Sequence, residues 1–165
     1  MASNIKEIIN ELETIADAFT SVSTFNFGRM SEINDQPEKS YPAIYIDSVI
    51  EAKTVRRDGN SHLPKEKEYP IEIIFWDKYL IAEQSTTDIQ SKYSALEIIA
   101  DQFFAEVNRR TIEDPASTRQ FHINNYEDLT GTYVTNSHVD NLVGIRYRPI
   151  FLADNIACTT GTFSY

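Results

Sequence analysis

Thr86-Thr87-Asp88-Ile89-Gln90-Ser91-Lys92-Tyr93-Ser94-Ala95-Leu96-Glu97-Ile98-Ile99-Ala100-Asp101-Gln102-Phe103-Phe104-Ala105-Glu106-Val107-Asn108-Arg109-Arg110 is the stretch whose reading decides the fold. Ile89, Tyr93, Leu96, Ala100, Phe103 and Val107 recur at alternating spacings of four and three, which is one stripe of an amphipathic helix. Ile99 and Phe104 widen that stripe, so the buried face is broad. Ser85, Thr86 or Thr87 can cap the start, and Asp88 suits the positive end of the helix dipole. Arg109 and Arg110 suit the negative end. No other stretch of the chain can anchor a core as well.

Upstream, Asn4 to Phe19 reads as a first helix. Ile5, Ile8, Ile9, Leu12, Ile15, Ala16 and Phe19 form its stripe, and Asn4 with Glu7 resembles a capping box. Phe25 and Phe27 flank Asn26 in a short strand ended by Gly28. Arg29 to Ser40 reads as a polar loop. Pro42 opens a strand expected to run to about Arg56, with Ile44, Ile46 and Ile50 on one face and Tyr45, Asp47 and Val49 on the other. The polar segment Val55 to Lys67 holds the turn signal Asp58-Gly59, so a long charged hairpin is expected, its tip standing away from the body. Glu68 to Trp76 is the returning strand. Ile71, Ile73 and Phe75 take one face of it; Glu72, Ile74 and Trp76 take the other.

Downstream, Asp114-Pro115 marks a linker. Arg119 to Tyr126 and Thr132 to Ser137 read as strands, and Asn141 to Leu152 as the last one. Val143, Ile145 and Tyr147 face one way there, Arg146 and Arg148 the other. Pro149 cannot donate to a ladder, which places this strand at an edge or puts a bulge in it. Runs of strands between two helices predict α+β architecture with a mostly antiparallel sheet and both helices on one face. Residues 1–154 are expected to form a single domain, followed by an extended tail over 155–165.

The chain has 165 residues, enough to bury a core without covalent staples. Its formal net charge of -10 disfavours a general grip on nucleic-acid phosphates. Cys158 is the only cysteine, which rules out an internal disulfide and a cysteine-based zinc site. A reducing compartment, the cytoplasm, is the expected place of synthesis. The first residues lack the basic-then-apolar pattern of a secretory signal, and no apolar run approaches membrane-spanning length.

Reactive constellations are hard to find. His62, His122 and His138 are not spaced as metal ligands, and no serine sits in a nucleophile elbow. Neither Thr130-Gly131-Thr132 nor Thr160-Gly161-Thr162 follows a phosphate-cradle pattern. Cys158 has no neighbouring histidine to lower its pKa. The expectation is therefore no enzyme, no cofactor and no metal. Two features suit an interaction surface instead. One is the hairpin with Lys53, Arg56, Arg57, Lys65 and Lys67, which could reach an acidic surface on a neighbouring subunit; the same charges would also discourage edge-to-edge pairing. The other is the sheet face with Tyr45, Trp76, Arg146 and Tyr133, the residue types enriched at interface centres, with Arg148 further along. The rival expectation is a small enzyme or ligand-binding domain, using a helix–sheet pocket with Asp47, Tyr45, Glu72 or His122 at its mouth. A dimeric regulator that binds a protein partner is a third.

The order of these elements resembles a known family. A leading helix is followed by the strand Tyr41-Pro42-Ala43-Ile44-Tyr45-Ile46, a charged hairpin, and the strand Ile71-Glu72-Ile73-Ile74-Phe75-Trp76-Asp77. A long helix and closing strands with Gly144 complete the order over residues 4–152. This is similar to the tail-terminator and tail-completion proteins at the neck of tailed bacteriophages. Asp140-Asn141-Leu142-Val143-Gly144, followed by a Cys-containing tail, resembles small neck or tail proteins of phages of the Bacteroidetes group. The resemblance implies a virion protein without enzymatic activity, made in the host cytoplasm. It implies a homo-oligomeric ring, a hexamer or dodecamer, that contacts other neck, portal or tail proteins. DNA would pass through it without specific binding, and no membrane is involved.

Overall fold

A computed structural model of the chain describes residues 4–28, 40–48, 50–55, 66–79, 86–113, 121–136 and 141–154. The fold is α+β, with two long helices and mostly antiparallel sheets, as the strand runs predicted. The expected polar loop after Gly28, the hairpin tip with Asp58-Gly59, the Asp114-Pro115 linker and the tail over 155–165 lie outside the described residues.

Helix α1 spans Ile5–Ala18 and helix α2 spans Thr86–Asn108. Asn4 caps α1: its side-chain oxygen accepts from the Glu7 amide at 3.1 Å. Ile8, Ile9, Leu12, Ile15 and Ala16 are buried, the inner face of the predicted stripe. On α2 burial is uneven. Leu96, Ile99, Ala100, Phe103, Phe104 and Val107 are buried, whereas Ile89 and Tyr93 near the start are only partly covered. The helix does not end at its arginines; a π-helical turn, Arg109–Glu113, continues it.

Nine strands form two sheets among the described residues: β1 Thr24–Gly28, β2 Ala43–Asp47, β3 Lys53–Val55, β4 Glu66–Pro70, β5 Ile73–Lys78, β6 Phe121–Ile123, β7 Thr132–Asn136, β8 Leu142–Tyr147 and β9 Ile150–Asp154. The first sheet has the order β1-β2-β5-β8-β7, the second β3-β4-β9-β6. Only β1 with β2 is a parallel pair.

Three predicted strands are each cut in two. The strand expected from Pro42 to Arg56 is β2 and then β3. The one expected from Glu68 to Trp76 is β4 and then β5, and the last strand is β8 and then β9. Their breaks are level with one another: the Asp47 amide donates to Glu72 O at 3.1 Å and the Ile71 amide to Pro149 O at 3.0 Å. Three adjacent chain segments therefore pass together from one sheet into the other through a common bend, the way strands turn a corner between packed sheets. Pro149 lies at this bend, where its missing N–H costs no ladder bond. An edge or a bulge was expected at Pro149; the chain instead changes sheet there, and it is no edge, because β8 and β9 are each flanked by strands on both sides.

One core cluster fills the space under both helices. It joins Ile44, Ile46, Ile73, Phe75, Ile145 and Tyr147 of the first sheet to Tyr69, Phe121, Ile123, Phe151 and Ala153 of the second. Both helices therefore cover one face, as expected. Phe75 is the aromatic centre: its ring meets Phe103 at 5.6 Å, Phe104 at 5.8 Å and Tyr147 at 5.9 Å, all near-perpendicular. On the opposite face Tyr45, Ile74, Trp76 and Leu142 form a smaller cluster, with Tyr41 and Val134 against it. Gly144 makes room for it, because a Cβ there would lie 2.4 Å from Trp76 Cε3.

Candidate functional site

The residues singled out from the sequence scatter over two regions. Arg56, Arg57 and Lys65 lie outside the described residues, as do His62, His138 and Cys158. The base of their hairpin is in place: Lys53 stands opposite Glu68, Thr54 opposite Lys67, and Val55 opposite Glu66. Lys53 is exposed and its Nζ lies 3.7 Å from Glu68. That separation on an open surface contributes little to stability. Strand β3 is at the edge of its sheet, so the base of the charged hairpin lies at that edge.

Tyr45 and Trp76 are corrected by the structure. Each is only 5% exposed, so both rings are spent inside the subunit instead of being offered to a neighbour. Their face carries more apolar bulk than alternation suggested, because Ile74, Leu142 and Val134 join them. Tyr133 is also misplaced: it lies on the helix side, its ring 4.7 Å from that of Tyr93 and its hydroxyl hydrogen-bonded to Glu97. That bond pushes its pKa up from the ordinary tyrosine value, since ionisation would set two negative charges together. Arg146 is on the predicted face, partly exposed.

What the fold does bring together is charge at the sheet bend. Glu72 sits at the break between β4 and β5 and accepts from Arg148 at 2.7 and 2.8 Å. Arg146 Nη1 lies 3.8 Å from its other oxygen. Beside this pair is an open cavity of about 390 Å³, lined by Asp47, Glu51, Pro70, Ile71, Glu72 and Arg148. Asp47 and Glu72 thus line one cavity, but it lies at the sheet bend and not between helix and sheet as the rival expectation had it; Tyr45 and His122 are not among its lining. His122 lies on β6, partly covered, opposite Leu152.

Sequence reasoning assigned Glu72 and the two arginines to different features, and only the common bend joins them. It missed Glu51. A second charged group was legible by spacing alone: Glu106 binds Arg109 and Arg110, three and four residues on, at 2.7 Å each. Arg110 also reaches Glu11 at 3.2 Å, tying the π-helical turn after α2 to α1. The Arg109 and Arg110 bonds pull the Glu106 carboxyl down to about 2, against a smaller opposing effect of burial.

The Glu72 carboxylate faces two guanidinium groups, and among the described residues of the cavity lining no nucleophile stands beside a base. No cluster of three or more His, Cys, Asp or Glu side chains able to hold a metal occurs among the described residues. No described helix is long and apolar enough to cross a membrane. Compared with known protein families and with curated proteins, the chain matches no family model and no individual sequence.

Proposed function

We propose that this chain is a structural subunit that closes into a ring at the neck or tail of a phage particle, as a tail terminator or head-to-tail joining protein. The observation that carries the reading is the charged β3–β4 hairpin at the outer edge of the second sheet. Its sequence continues into Arg56, Arg57 and Lys65, five basic residues with Lys53 and Lys67 on a chain of net charge -10. A basic arm on an acidic body is complementary to the body of another copy, and a head-to-tail contact repeated about an axis closes a ring. The order of helix, strand, charged hairpin, strand, long helix and closing strands supports the same reading through its resemblance to tail-terminator proteins. An acidic ring lumen would repel the DNA backbone and let it slide.

Electron microscopy of the purified chain tests this. Closed rings with a central channel are expected, and the combined change of Arg56, Arg57, Lys65 and Lys67 to serine should abolish them while the melting curve persists. Rings that survive that change would remove the hairpin from the contact. The cavity at the sheet bend favours a second reading, a domain that binds a small ligand beside the Glu72–Arg148 pair, with Asp47 and Glu51 facing a cationic group on it. A monomer whose melting temperature rises with such a ligand would favour it over the ring.

A further inference from the structure

We infer that β7 of one copy pairs antiparallel with β1 of the next, so that the first sheet runs on from subunit to subunit. This deepens the ring reading and rests on it. The order β1-β2-β5-β8-β7 puts these two strands at opposite ends of one sheet, and among the described strands each has a single partner. The outer side of such a strand is a row of backbone donors and acceptors, and the ligand that satisfies a row is another strand.

Among the described residues, the two edge strands lack the usual protection within their own sequences. Free edges are commonly blunted by lysine, proline or a bulge. Strand β3 carries Lys53 at its edge. By contrast β1 is Thr24-Phe25-Asn26-Phe27-Gly28 and β7 is Thr132-Tyr133-Val134-Thr135-Asn136, without charge or proline, on a chain in which 24% of residues are charged. Both are five residues long and rich in β-branched and aromatic types. Each also exposes an aromatic ring: Phe27 is 49% exposed and Tyr133 53%.

Direction and register agree with the joint. Strand β1 is parallel to β2, and the steps from β2 to β5, β8 and β7 are each antiparallel, so β1 and β7 run in opposite directions. A second copy placed alongside without inversion therefore meets the first in an antiparallel pair, a polar contact that can repeat. With the two strands laid end to end in full overlap, Asn26 stands opposite Val134 and Phe27 opposite Tyr133. Phe27 pairs in register with Ile46 and Tyr133 with Ile145, both on the helix-covered face, so the two exposed rings share a face. A cross-strand aromatic pair is among the contacts that stabilise a sheet most.

Cross-linking decides the matter. In a Cys158→Ser background, copies carrying Asn26→Cys are mixed with copies carrying Val134→Cys and treated with a short bis-maleimide. Covalent dimers are expected from the mixture and not from either copy alone. Assembly should also slow hydrogen exchange over residues 24–28 and 132–136. Phe27→Lys should weaken assembly by on the order of tenfold. Dimers from Val134→Cys alone would show a two-fold joint between β7 strands and overturn the proposal. An assembled protein with no cross-link and no added protection at either strand would overturn it too, while leaving the ring reading standing. A wild-type chain that does not assemble at all would end both.

Discussion

Placing a methyl group on Gly144 sets the second-face packing against itself. The Cβ of an alanine there would sit 2.4 Å from Trp76 Cε3, 2.9 Å from Cζ3 and 2.8 Å from the Phe75 carbonyl oxygen. Carbon atoms attract at about 3.5–4.0 Å, so the indole must retreat by more than an ångström. It has little room to do so, being 5% exposed and enclosed by Tyr45, Ile74 and Leu142. Overpacking of this kind costs roughly 1–3 kcal/mol. Replacing glycine by alanine returns roughly 0.4–1 kcal/mol by restricting the unfolded chain. The net loss is at most about 2.6 kcal/mol, a fall in melting temperature of up to about 10 °C for a chain of this size, and about 1.3 kcal/mol at the middle of both ranges. Trp76 is the only tryptophan, so its fluorescence reports both the melt and the displacement of the ring. Gly144→Ala should melt earlier and shift the emission to the red. Adding Trp76→Leu should relieve the clash, so the double variant loses less than the sum of the single losses. A Gly144→Ala protein with unchanged melting and emission would refute this account of the second face.

Four further outcomes are expected. Phe103→Ala, which removes a fully buried ring between Phe75 and Phe104, should cost about 3–5 kcal/mol in urea unfolding. Glu106 holds its carboxyl at about 2 against an ordinary 4.5, so its stabilisation is present at neutral pH and is lost as pH falls from about 4.5 through 2. Glu106→Gln should therefore lose about 1 kcal/mol at pH 7, reduced from the full shift because Arg109 is half-exposed, and its acid unfolding curve should be flatter. Burial, the largest cause, pushes the Tyr147 hydroxyl up to about 12, so stability should fall as pH rises from 10 through 12, and Tyr147→Phe should flatten that limb. Arg148→Ala should lower stability only slightly, by less than about 1 kcal/mol, because the arginine of this pair is 70% exposed.

The helices and the strand faces were legible because each rests on a short-range rule. The stripe from Leu96 to Val107 and the alternation of Ile71, Ile73 and Phe75 follow from helix and strand periodicity. The cut strands were not legible. Alternation continues in phase across Ile71-Glu72, so nothing local marks the change of sheet, and the corner is set by three chain segments aligning. Tyr45 and Trp76 were read as surface because half of a strand's residues face away from the helices. Only the tertiary pairing of Trp76 with Gly144 shows that this face is closed as well. The charged site failed for a related reason: Glu72 and Arg148 are far apart in sequence and meet through the ladder that joins β4–β5 to β8–β9.

Whether the chain works through contacts between copies is measured most directly by native mass spectrometry of the purified protein over a range of concentrations. The account predicts one closed species of six or twelve subunits that persists on dilution, without a ladder of open intermediates. A single subunit at every concentration up to the solubility limit, or an open-ended series of sizes, would contradict it.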